Sequence, residues 1–475
     1  MDEVKHLVCT TNSRDKVQKK LLAARSRLIG PLQGGVNENS PGFVAVISRE
    51  AAHKYVTKEF LRNSLIQSHL RRIQFPAVPP KGHLEHWIRE LHVVRVFVPD
   101  FQMELGNEVG FQIVRARLHL SAKFFFGKHF ERIDIFVDVN IRVEARFFNY
   151  VLDSVDLSFG HCHSSFKIVR ITSSSHLQAA KAKPIVNSIL AASLPNLLCE
   201  TLQRLMKFMI FDYLYTTDAY YHMGPAASIH YQLASKPSIH PAYFIFEMRM
   251  ILRTQNHILT IPFNPSPIPL PSLKDERSMS LGLTQDSLNM ILGVLLQIPN
   301  QELISTKEVF SGAVELTSVI TGLFAHQKCL KCPVMSSLKV GITLVGTKRV
   351  TLQPNLIMLH LSVQISILSM GHSGAPYNLF VLKANLALEL SATAHDNKLR
   401  FSPIITSLDL VLVSSEHGPI EVSGLAKWIK LLLKETYLPH INDRLNIGIP
   451  LPSILHVRVQ YPVIQVIQGM IVFCL

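Results

Sequence analysis

A proline-studded stretch in the middle of the chain constrains the fold more than any other feature. Four of the seven residues from Pro265 to Pro271 are prolines. Proline lacks a backbone N–H and clashes with the preceding helical turn, so neither a helix nor a central strand can pass through this stretch. The chain is therefore divided there, and a half of similar size lies on each side.

The two halves follow one plan. Each begins with a capped amphipathic helix, at Ser48 in the first half and at Thr284 in the second. Alternating, strand-like runs follow, and then a second helix that contains a Leu-Pro pair at Leu194 or at Leu438. The distance from cap to Leu-Pro is roughly 150 residues in both halves, which indicates an internal repeat and two similar domains.

Composition supports two folded domains. Hydrophobic residues make up 48% of the 475 residues and charged residues 17%, which is ample material for a buried core. We expect a poorly ordered extension over residues 1–40, a first domain over 41–235 and a second over 272–475. Residues 236–271 would form a proline-rich linker that also contributes to a sheet between the domains.

The net charge and the hydropathy of the chain limit the kinds of partner that it can have. The net charge of +14 favours anionic partners such as lipid head groups, lipopolysaccharide or nucleic acid, although an inert basic surface would look the same. No nucleic-acid recognition motif is present, so we expect no nucleic-acid partner. Mean hydropathy is +0.22, yet no run approaches the roughly 20 apolar residues of a membrane span, so we expect no transmembrane segment. Large cores or apolar cavities would explain this excess.

Motifs of the common enzyme classes are missing from the sequence. There is no nucleophile elbow, phosphate-binding loop, dinucleotide fingerprint or HExxH motif. The 22 histidines are scattered, without carboxylate partners at a telling spacing. We therefore expect no catalytic residue, no resident metal and no cofactor. The first 40 residues are polar and basic and contain no apolar signal-peptide core, so we find no targeting signal in them.

A hairpin between Lys123 and Arg132 is the sharpest functional candidate. The run from Leu91 to Phe159 alternates in the manner of long antiparallel strands with one wet face, and a glycine in its middle supports a tight turn. Phe124 and Phe126 are expected to face the core. Four residues would then form a tip that meets anions or a membrane, namely Lys123, Phe125, Lys128 and Arg132.

The six cysteines are too few for a disulfide scaffold, and the residues alone leave their roles open. Cys162 lies between two histidines, so a zinc site is an alternative to a disulfide there. Cys329 and Cys332 form a lone CxxC, which suits a redox pair, half a zinc site or a local disulfide. Cys9 and Cys474 have no assignable partner.

Three motifs resemble the bactericidal/permeability-increasing protein family, which includes lipopolysaccharide-binding protein. They are the run from Pro41 to Ser48 before a long helix, the pair Cys162 and Cys199, and the segment Leu438–Pro452 with the pattern N-x-x-L-x-x-G-apolar-P-L-P. The resemblance covers about residues 41–475. It implies an α+β fold of two curved antiparallel barrels, each plugged by long helices and joined by a central sheet in a boomerang.

The resemblance also implies a function. Each barrel would hold the acyl chains of a phospholipid in an apolar tunnel, Cys162 and Cys199 would form a disulfide, and the hairpin tip would meet lipopolysaccharide. The protein would be secreted and non-enzymatic. The alternative is a host-defence protein with antimicrobial or other innate-immune activity, in which the basic first half recognises bacterial anions and lipid is only structural. Helical phase gives the candidate tunnel-wall residues, which are Val56, Phe60, Leu61, Ile189, Leu190, Leu194, Leu288, Ile291, Leu292, Leu431 and Leu438.

Overall fold

A computed structural model gives the fold of the chain. It describes residues 40–62, 64–76, 86–105, 108–151, 154–215, 220–262, 268–273, 279–324, 338–370, 376–416, 418–454, 457 and 459–475. Within these ranges only the backbone is described for residues 59–62, 105, 147–151, 154–157 and 209–215. The extension expected over residues 1–40 lies outside the described residues, apart from Ser40.

The described part of the chain contains helices and long strands in alternating groups. The helices are α1 (Arg49–Arg62), α2 (Leu65–Arg71), α3 (His176–Tyr215), α4 (Gln285–Leu295), α5 (Ala313–Leu323), α6 (Ala426–Leu432) and α7 (Leu438–Asn446), with a π-helical turn (Leu433–Tyr437) between the last two. The strands of the first half are β1 (Phe43–Ser48), β2 (His86–Phe97), β3 (Asp100–Leu105), β4 (Val109–Phe126), β5 (His129–Val151), β6 (Ser154–Thr172), β7 (Tyr220–Met223) and β8 (Ala227–Leu233). The remaining strands are β9 (Ser238–His240), β10 (Tyr243–Arg253), β11 (Ile258–Thr260), β12 (Met279–Thr284), β13 (Gln301–Ile304), β14 (Leu338–Gln353), β15 (Leu356–Met370), β16 (Pro376–His395), β17 (Lys398–Ser415), β18 (Ile449–Pro450), β19 (Val463–Ile467) and β20 (Met470–Cys474).

A nine-stranded sheet joins the two halves. Its order is β19-β20-β12-β1-β10-β8-β7, and β9 and β11 pair with β10. The strands β1 and β12 lie side by side and antiparallel, with Phe43 opposite Leu283 and Ile47 opposite Met279. Each runs directly into a helix, so the repeat that the sequence predicts is a strand, a cap and a helix arranged about a pseudo-twofold axis.

Both predicted helix caps are present. The Ser48 hydroxyl oxygen accepts a hydrogen bond from the N–H of Ala51 at 3.0 Å, and the Thr284 hydroxyl oxygen accepts one from the N–H of Ser287 at 3.3 Å. Each cap satisfies a backbone donor that the first helical turn leaves without a partner. The caps therefore fix where α1 and α4 begin, on opposite ends of the central strand pair.

Each half also contains its own antiparallel sheet with helices packed on it. The first has the order β2-β4-β5-β6, with β3 on β4, and the second runs from β13 to β18 in sequence order. Alternate residues of β5, such as Ile133, Ile135 and Val137, are fully buried, because successive side chains of a strand point to opposite faces. Helices α1 to α3 pack against the first sheet, and α4, α6 and α7 against the second.

The second helix of the first half is longer than its sequence suggests. We predicted that it opens at Lys183-Pro184, but α3 begins at His176 and contains both Pro184 and Pro195. The run from His176 to Lys183 is rich in good helix formers, which explains the earlier start. By length and composition His176–Phe208 also has the character of a membrane span, contrary to our expectation that no segment does.

The buried face of α3 shows how this apolar helix is used in the fold. Val186, Leu190, Leu194 and Leu198 recur at helical spacing and are fully buried in the core. The Ser164 hydroxyl of β6 donates a hydrogen bond to the carbonyl of Pro195 at 3.0 Å, so a strand side chain meets the helix where a proline lies inside it. The helix therefore serves as the cover of the first sheet.

The proline-rich stretch contains no strand between residues 268 and 273 and instead crosses the central sheet. Ile268, Leu270 and Leu273 pack on the sheet face that carries Val44 and Val46. The Ser280 hydroxyl donates to the Ser272 carbonyl at 2.6 Å. Because prolines leave few backbone donors to satisfy, this segment can lie flat over apolar side chains. Residues 243–253 precede the prolines and form β10 in the middle of the sheet.

A buried tyrosine ties the central sheet to the end of the chain. Tyr231 on β8 is fully buried, and its hydroxyl donates to the Pro450 carbonyl at 2.6 Å. Burial raises the pKa of Tyr231 well above its ordinary value, so the hydroxyl keeps its proton and acts as a donor. Pro450 also lies opposite Lys398 of β17, which means that the sequence signature Ile449–Pro452 joins two sheets.

Replacing Tyr231 with phenylalanine should therefore destabilise the protein by about 1–3 kcal/mol, because the buried Pro450 carbonyl would lose its donor. Chemical unfolding with Tyr461→Phe as control measures this. Tyr461 is 79% exposed, and removing its hydroxyl should change stability by less than about 0.5 kcal/mol. Equal effects of the two substitutions would show that the Tyr231 hydroxyl does not hold the sheets together.

A disulfide joins Cys162 on β6 to Cys199 on α3, with sulfurs 1.99 Å apart and a sequence separation of 37. This is the pair that the family resemblance implies. The sulfur of Cys162 is thus used in a covalent bond, and the described residues contain no group of three metal-ligating side chains. Cys474 is also disulfide-bonded, although the sequence offered no partner for it. Cys9, Cys329 and Cys332 lie outside the described residues.

Removing this disulfide with Cys162→Ala/Cys199→Ala should lower the free energy of unfolding by about 4 kcal/mol, since the unfolded chain gains the entropy of an open loop. Guanidinium unfolding is the measurement. Ser164→Ala, which deletes only the neighbouring hydrogen bond to α3, is a matched control and should cost about 1 kcal/mol. A double variant as stable as the control would contradict the expected role of the cross-link.

Candidate functional site

The predicted hairpin tip is formed by the ends of β4 and β5. Phe126 pairs with His129, so the turn consists of Gly127 and Lys128. Gly127 has a φ of 59°, a backbone conformation that suits glycine in a two-residue hairpin. Phe124 is fully buried and Phe126 packs against the core, as the alternation predicts. The outer side chains of the hairpin are therefore the ones available to a partner.

Three aromatic rings form a row across the outer face of the tip. Trp87 of β2 lies opposite Phe125, and Phe125 lies opposite Phe130. The rings of Trp87 and Phe125 are stacked with centroids 5.2 Å apart, and those of Phe125 and Phe130 are 5.3 Å apart. Phe130 is 56% exposed, which leaves one large apolar ring in contact with solvent. We call Trp87, Phe125 and Phe130 the aromatic row.

A second row, made of cations, lies two residues further from the turn on the same three strands. Arg89 pairs with Lys123, and Lys123 pairs with Arg132. The Arg89 guanidinium lies 5.9 Å from the Phe125 centroid, and the Lys123 ammonium 5.4 Å from the Phe130 centroid. These distances fit cation–π contacts, so the basic row holds the aromatic row in place. We call Arg89, Lys123 and Arg132 the basic row.

The charges of the tip are not equally available. The Lys123 ammonium lies 2.7 Å from a carboxylate oxygen of Glu90, which balances much of its charge. Glu90 reaches it from an irregular point of β2, where its φ is 55°. Lys128 and Arg132 are both exposed. Arg89 is exposed as well, so an anion that approaches the tip would meet these three cations before Lys123.

Sequence reasoning named Lys123, Phe125, Lys128 and Arg132 but missed Trp87, Arg89 and Phe130. Phe130 could have been found, because a two-residue turn at Gly127 places it opposite Phe125. The β2 residues could not, since β2 and β4 are joined through β3 and irregularities shift their register twice. The aromatic and basic rows exist only once three strands are aligned.

The predicted tunnel-wall residues lie between the helices and the sheets, mostly in the core. Leu190, Leu194, Leu288, Ile291 and Leu292 are at most 1% exposed. Val56, Ile189 and Leu438 are partly buried and pack against the same core. Leu431 packs beside Gly312 at the start of α5. The side chains of Phe60 and Leu61 lie outside the described residues, and the whole set stays a prediction.

Two clefts lie beside the starts of α1 and α4, at related positions of the repeat. The first has a volume of about 810 Å³ and lies between α1, β3 and the turn before β10. The second, of about 700 Å³, lies between α4 and residues 259–262. Counted from the caps, Glu50 corresponds to Asp286 and Lys54 to Met290, and all four residues line the clefts. None of the predicted wall residues lines either cleft.

Comparison with known proteins assigns the class. Residues 313–474 match the model of the C-terminal domain of the LBP / BPI / CETP family. The crystal structure of lipopolysaccharide binding protein superposes with a TM-score of 0.58 at 17% sequence identity, covering 91% of this chain and 98% of that one. At this identity the likeness establishes the fold. The chain therefore has the BPI fold, and its residues 313–474 are similar to the C-terminal domain of this family, as its sequence motifs indicate.

Curated relatives agree with this class. The rat protein BPI fold-containing family B member 3 is 25% identical over 289 residues, which are 61% of this chain and 61% of that protein. The match thus spans less than two thirds of this relative's length. Human BPI fold-containing family B member 2 is 23% identical over 449 residues, covering 92% of this chain and 94% of the relative. The similarity to this second relative runs through both halves.

Proposed function

We propose that this protein is a secreted, non-enzymatic lipid-binding protein that meets anionic lipid surfaces through its hairpin tip. It would hold phospholipid acyl chains between the helices and the sheet of each half. The observation that carries the proposal is the arrangement of the aromatic and basic rows on one exposed face. The match of residues 313–474 to the LBP / BPI / CETP family model and the likeness of fold to lipopolysaccharide binding protein support it.

The spacing of the two rows suits the interface of a bilayer. Aromatic rings prefer the head-group region, where one edge is apolar and the other is wet, and lysine and arginine meet the phosphates there. The aromatic row lies nearer the turn than the basic row, so it would enter the interface first. Phe130, which is 56% exposed, would lose water contact on docking.

Apolar contacts alone would hold a phospholipid in each half. Each methylene group removed from water contributes about 0.8 kcal/mol, so a diacyl lipid needs no reactive residue to be retained. The predicted wall residues, from Val56 on α1 to Leu438 on α7, supply such contacts. Secretion fits the Cys162–Cys199 disulfide, since disulfides persist mainly in oxidising compartments.

Charge reversal of the exposed cations tests the docking surface. Lys128→Glu/Arg132→Glu should weaken binding to vesicles of phosphatidylcholine and phosphatidylserine at least tenfold, since each basic residue near such a surface contributes about 1 kcal/mol. Vesicle sedimentation is the measurement. Lys181→Glu/Lys183→Glu makes the same change on the exposed face of α3 and should bind almost as the parent does. Equal loss of vesicle binding in both variants would show that the net charge of the protein, and not the hairpin tip, determines binding.

Tryptophan fluorescence tests whether the aromatic row enters the lipid. The chain has two tryptophans, so Trp428→Phe leaves Trp87 as the sole reporter. Its emission should shift to shorter wavelength when anionic vesicles are added, because docking removes the remaining water contact of this half-buried ring. The same vesicles should produce no such shift in a second protein that also carries Lys128→Glu/Arg132→Glu. An unshifted emission despite vesicle binding would place the contact elsewhere.

A second candidate function uses the same tip in a different way. The protein would recognise lipopolysaccharide as a host-defence factor, and lipid in its interior would only be structural. The exposed cations favour this candidate equally. The variant Lys123→Glu/Lys128→Glu/Arg132→Glu distinguishes the two candidate functions. Lipopolysaccharide binding and lipid content are both measured on this protein by native mass spectrometry. Lost lipopolysaccharide binding with unchanged lipid supports the defence role, and unchanged binding removes the tip from it.

A further inference from the structure

The cleft beside α4 is lined by apolar side chains from two sides. One wall is formed by the end of β11 and the two residues that follow it, from Leu259 to Pro262. The other wall is the outer face of α4. The lining comprises Leu259, Thr260, Ile261, Pro262, Asp286, Asn289, Met290, Gly293, Val294 and Gln297. Its volume of about 700 Å³ lies within the range of small-molecule sites. The neighbouring Ile258 is 62% exposed, which extends the apolar surface at the rim.

This cleft faces away from the predicted tunnel. Leu288, Ile291 and Leu292 of α4 point into the core and are at most 1% exposed, whereas Met290 and Gly293 lie on the opposite side of the helix. A β-carbon built on Gly293 would have no heavy atom within 4 Å. The middle of α4 thus borders open space in the cleft, and the site is separate from the helix–sheet interior.

Its charge differs from that of the related cleft beside α1. There the lining includes the bases Arg49 and Lys54, the acids Glu50 and Glu104, and His53, so cations are available to an anionic head group. In the α4 cleft Met290 takes the place of Lys54 and Asn289 that of His53. Among the described residues, the lining contains one acid, Asp286, and no basic residue. In a chain of net charge +14, a binding site without a cation selects against phosphate and carboxylate head groups.

We propose that the α4 cleft binds a single-chain, uncharged amphiphile whose head group carries hydroxyls, such as a monoacylglycerol. This inference rests on the proposed lipid-binding function and adds a site and a ligand class to it. The acyl chain lies against Leu259 and Met290, above the buried side chains of Ile261 and Val294. The hydroxyls donate to the Asp286 carboxylate at the rim, and the same carboxylate repels an anionic head group.

Filling the cleft from the helix side gives a selective test. Gly293→Leu places a side chain in open space and replaces glycine with a better helix former, so its melting temperature should be unchanged or higher. Binding of monooleoylglycerol below its aggregation concentration, measured by calorimetry, should weaken at least tenfold. Gly322→Leu is the matched control, because Gly322 also lies in a helix with no atom within 4 Å of a β-carbon. It should bind as the parent does.

A second variant covers the case in which Gly293→Leu folds poorly. Met290→Glu adds a charge beside Asp286 on a partly buried position and should also weaken monooleoylglycerol binding at least tenfold. Parent-like binding by either folded variant would overturn the proposal. Parent protein that binds oleoyl lysophosphatidate as tightly as monooleoylglycerol would overturn the assignment of an uncharged head group.

The same proteins distinguish this site from the proposed interior lipid. Phospholipid retained through purification, released by organic extraction and weighed by mass spectrometry, should be equal in the parent and in Gly293→Leu. Absence of phospholipid from the parent would count against the interior site alone, provided that monooleoylglycerol still binds. Loss of both ligands on filling the α4 cleft would show one continuous cavity and overturn the separate site.

Discussion

The antiparallel pairing of β1 with β12 is the contact on which the rest of the structure depends. Phe43 to Ile47 are fully buried, and each of the two strands has a second neighbour, β10 or β20. Each strand starts a helix from its end, and the first N–H of each helix donates to a hairpin of the same sheet, from Arg49 to Ala242 at 2.8 Å and from Gln285 to Gly469 at 2.9 Å. The position of either half is therefore set by this strand pair.

The two halves share this arrangement of strand, cap and helix but differ in the side chains on the first turns of α1 and α4. In the second half Gln285 and Asn289 accept hydrogen bonds from the N–H groups of Leu352 and Val350, so two amide side chains of α4 cover the edge of β14. In the first half His53 of α1 lies 3.0 Å from the Phe101 carbonyl and makes the related contact to β3. A duplicated backbone thus carries one cleft lined by acids and bases and one whose described lining has a single acid, and the ligand class proposed for the α4 cleft follows from that difference.

Hydrogen bonds from the β16–β17 turn hold the segment after α7, from Leu451 to Val459. Asn397 occupies the β16–β17 turn with a φ of 57°, and its amide accepts from the N–H of Val459 and donates to the Ser453 hydroxyl. Its carbonyl also accepts from the N–H of Leu451 at 2.7 Å. Together with the bond from Tyr231 to Pro450, these contacts explain why the Pro-Leu-Pro segment is extended: the Pro450 carbonyl is used by β8 and the Leu451 N–H by the β16–β17 turn.

The sequence by itself determined the repeat, the helix caps at Ser48 and Thr284, the face of each strand and the hairpin at Gly127, because these depend on local periodicity and backbone preference. Residues such as Phe124 could be assigned to the core from alternation alone. Only the tertiary structure decided which strands lie side by side, and with that the row of Trp87, Phe125 and Phe130. Register between distant strands arises from packing of the whole sheet, and a single sequence contains no local signal for it. For the same reason the α4 cleft was invisible, since its walls come from a hairpin and a helix that meet only in the folded chain.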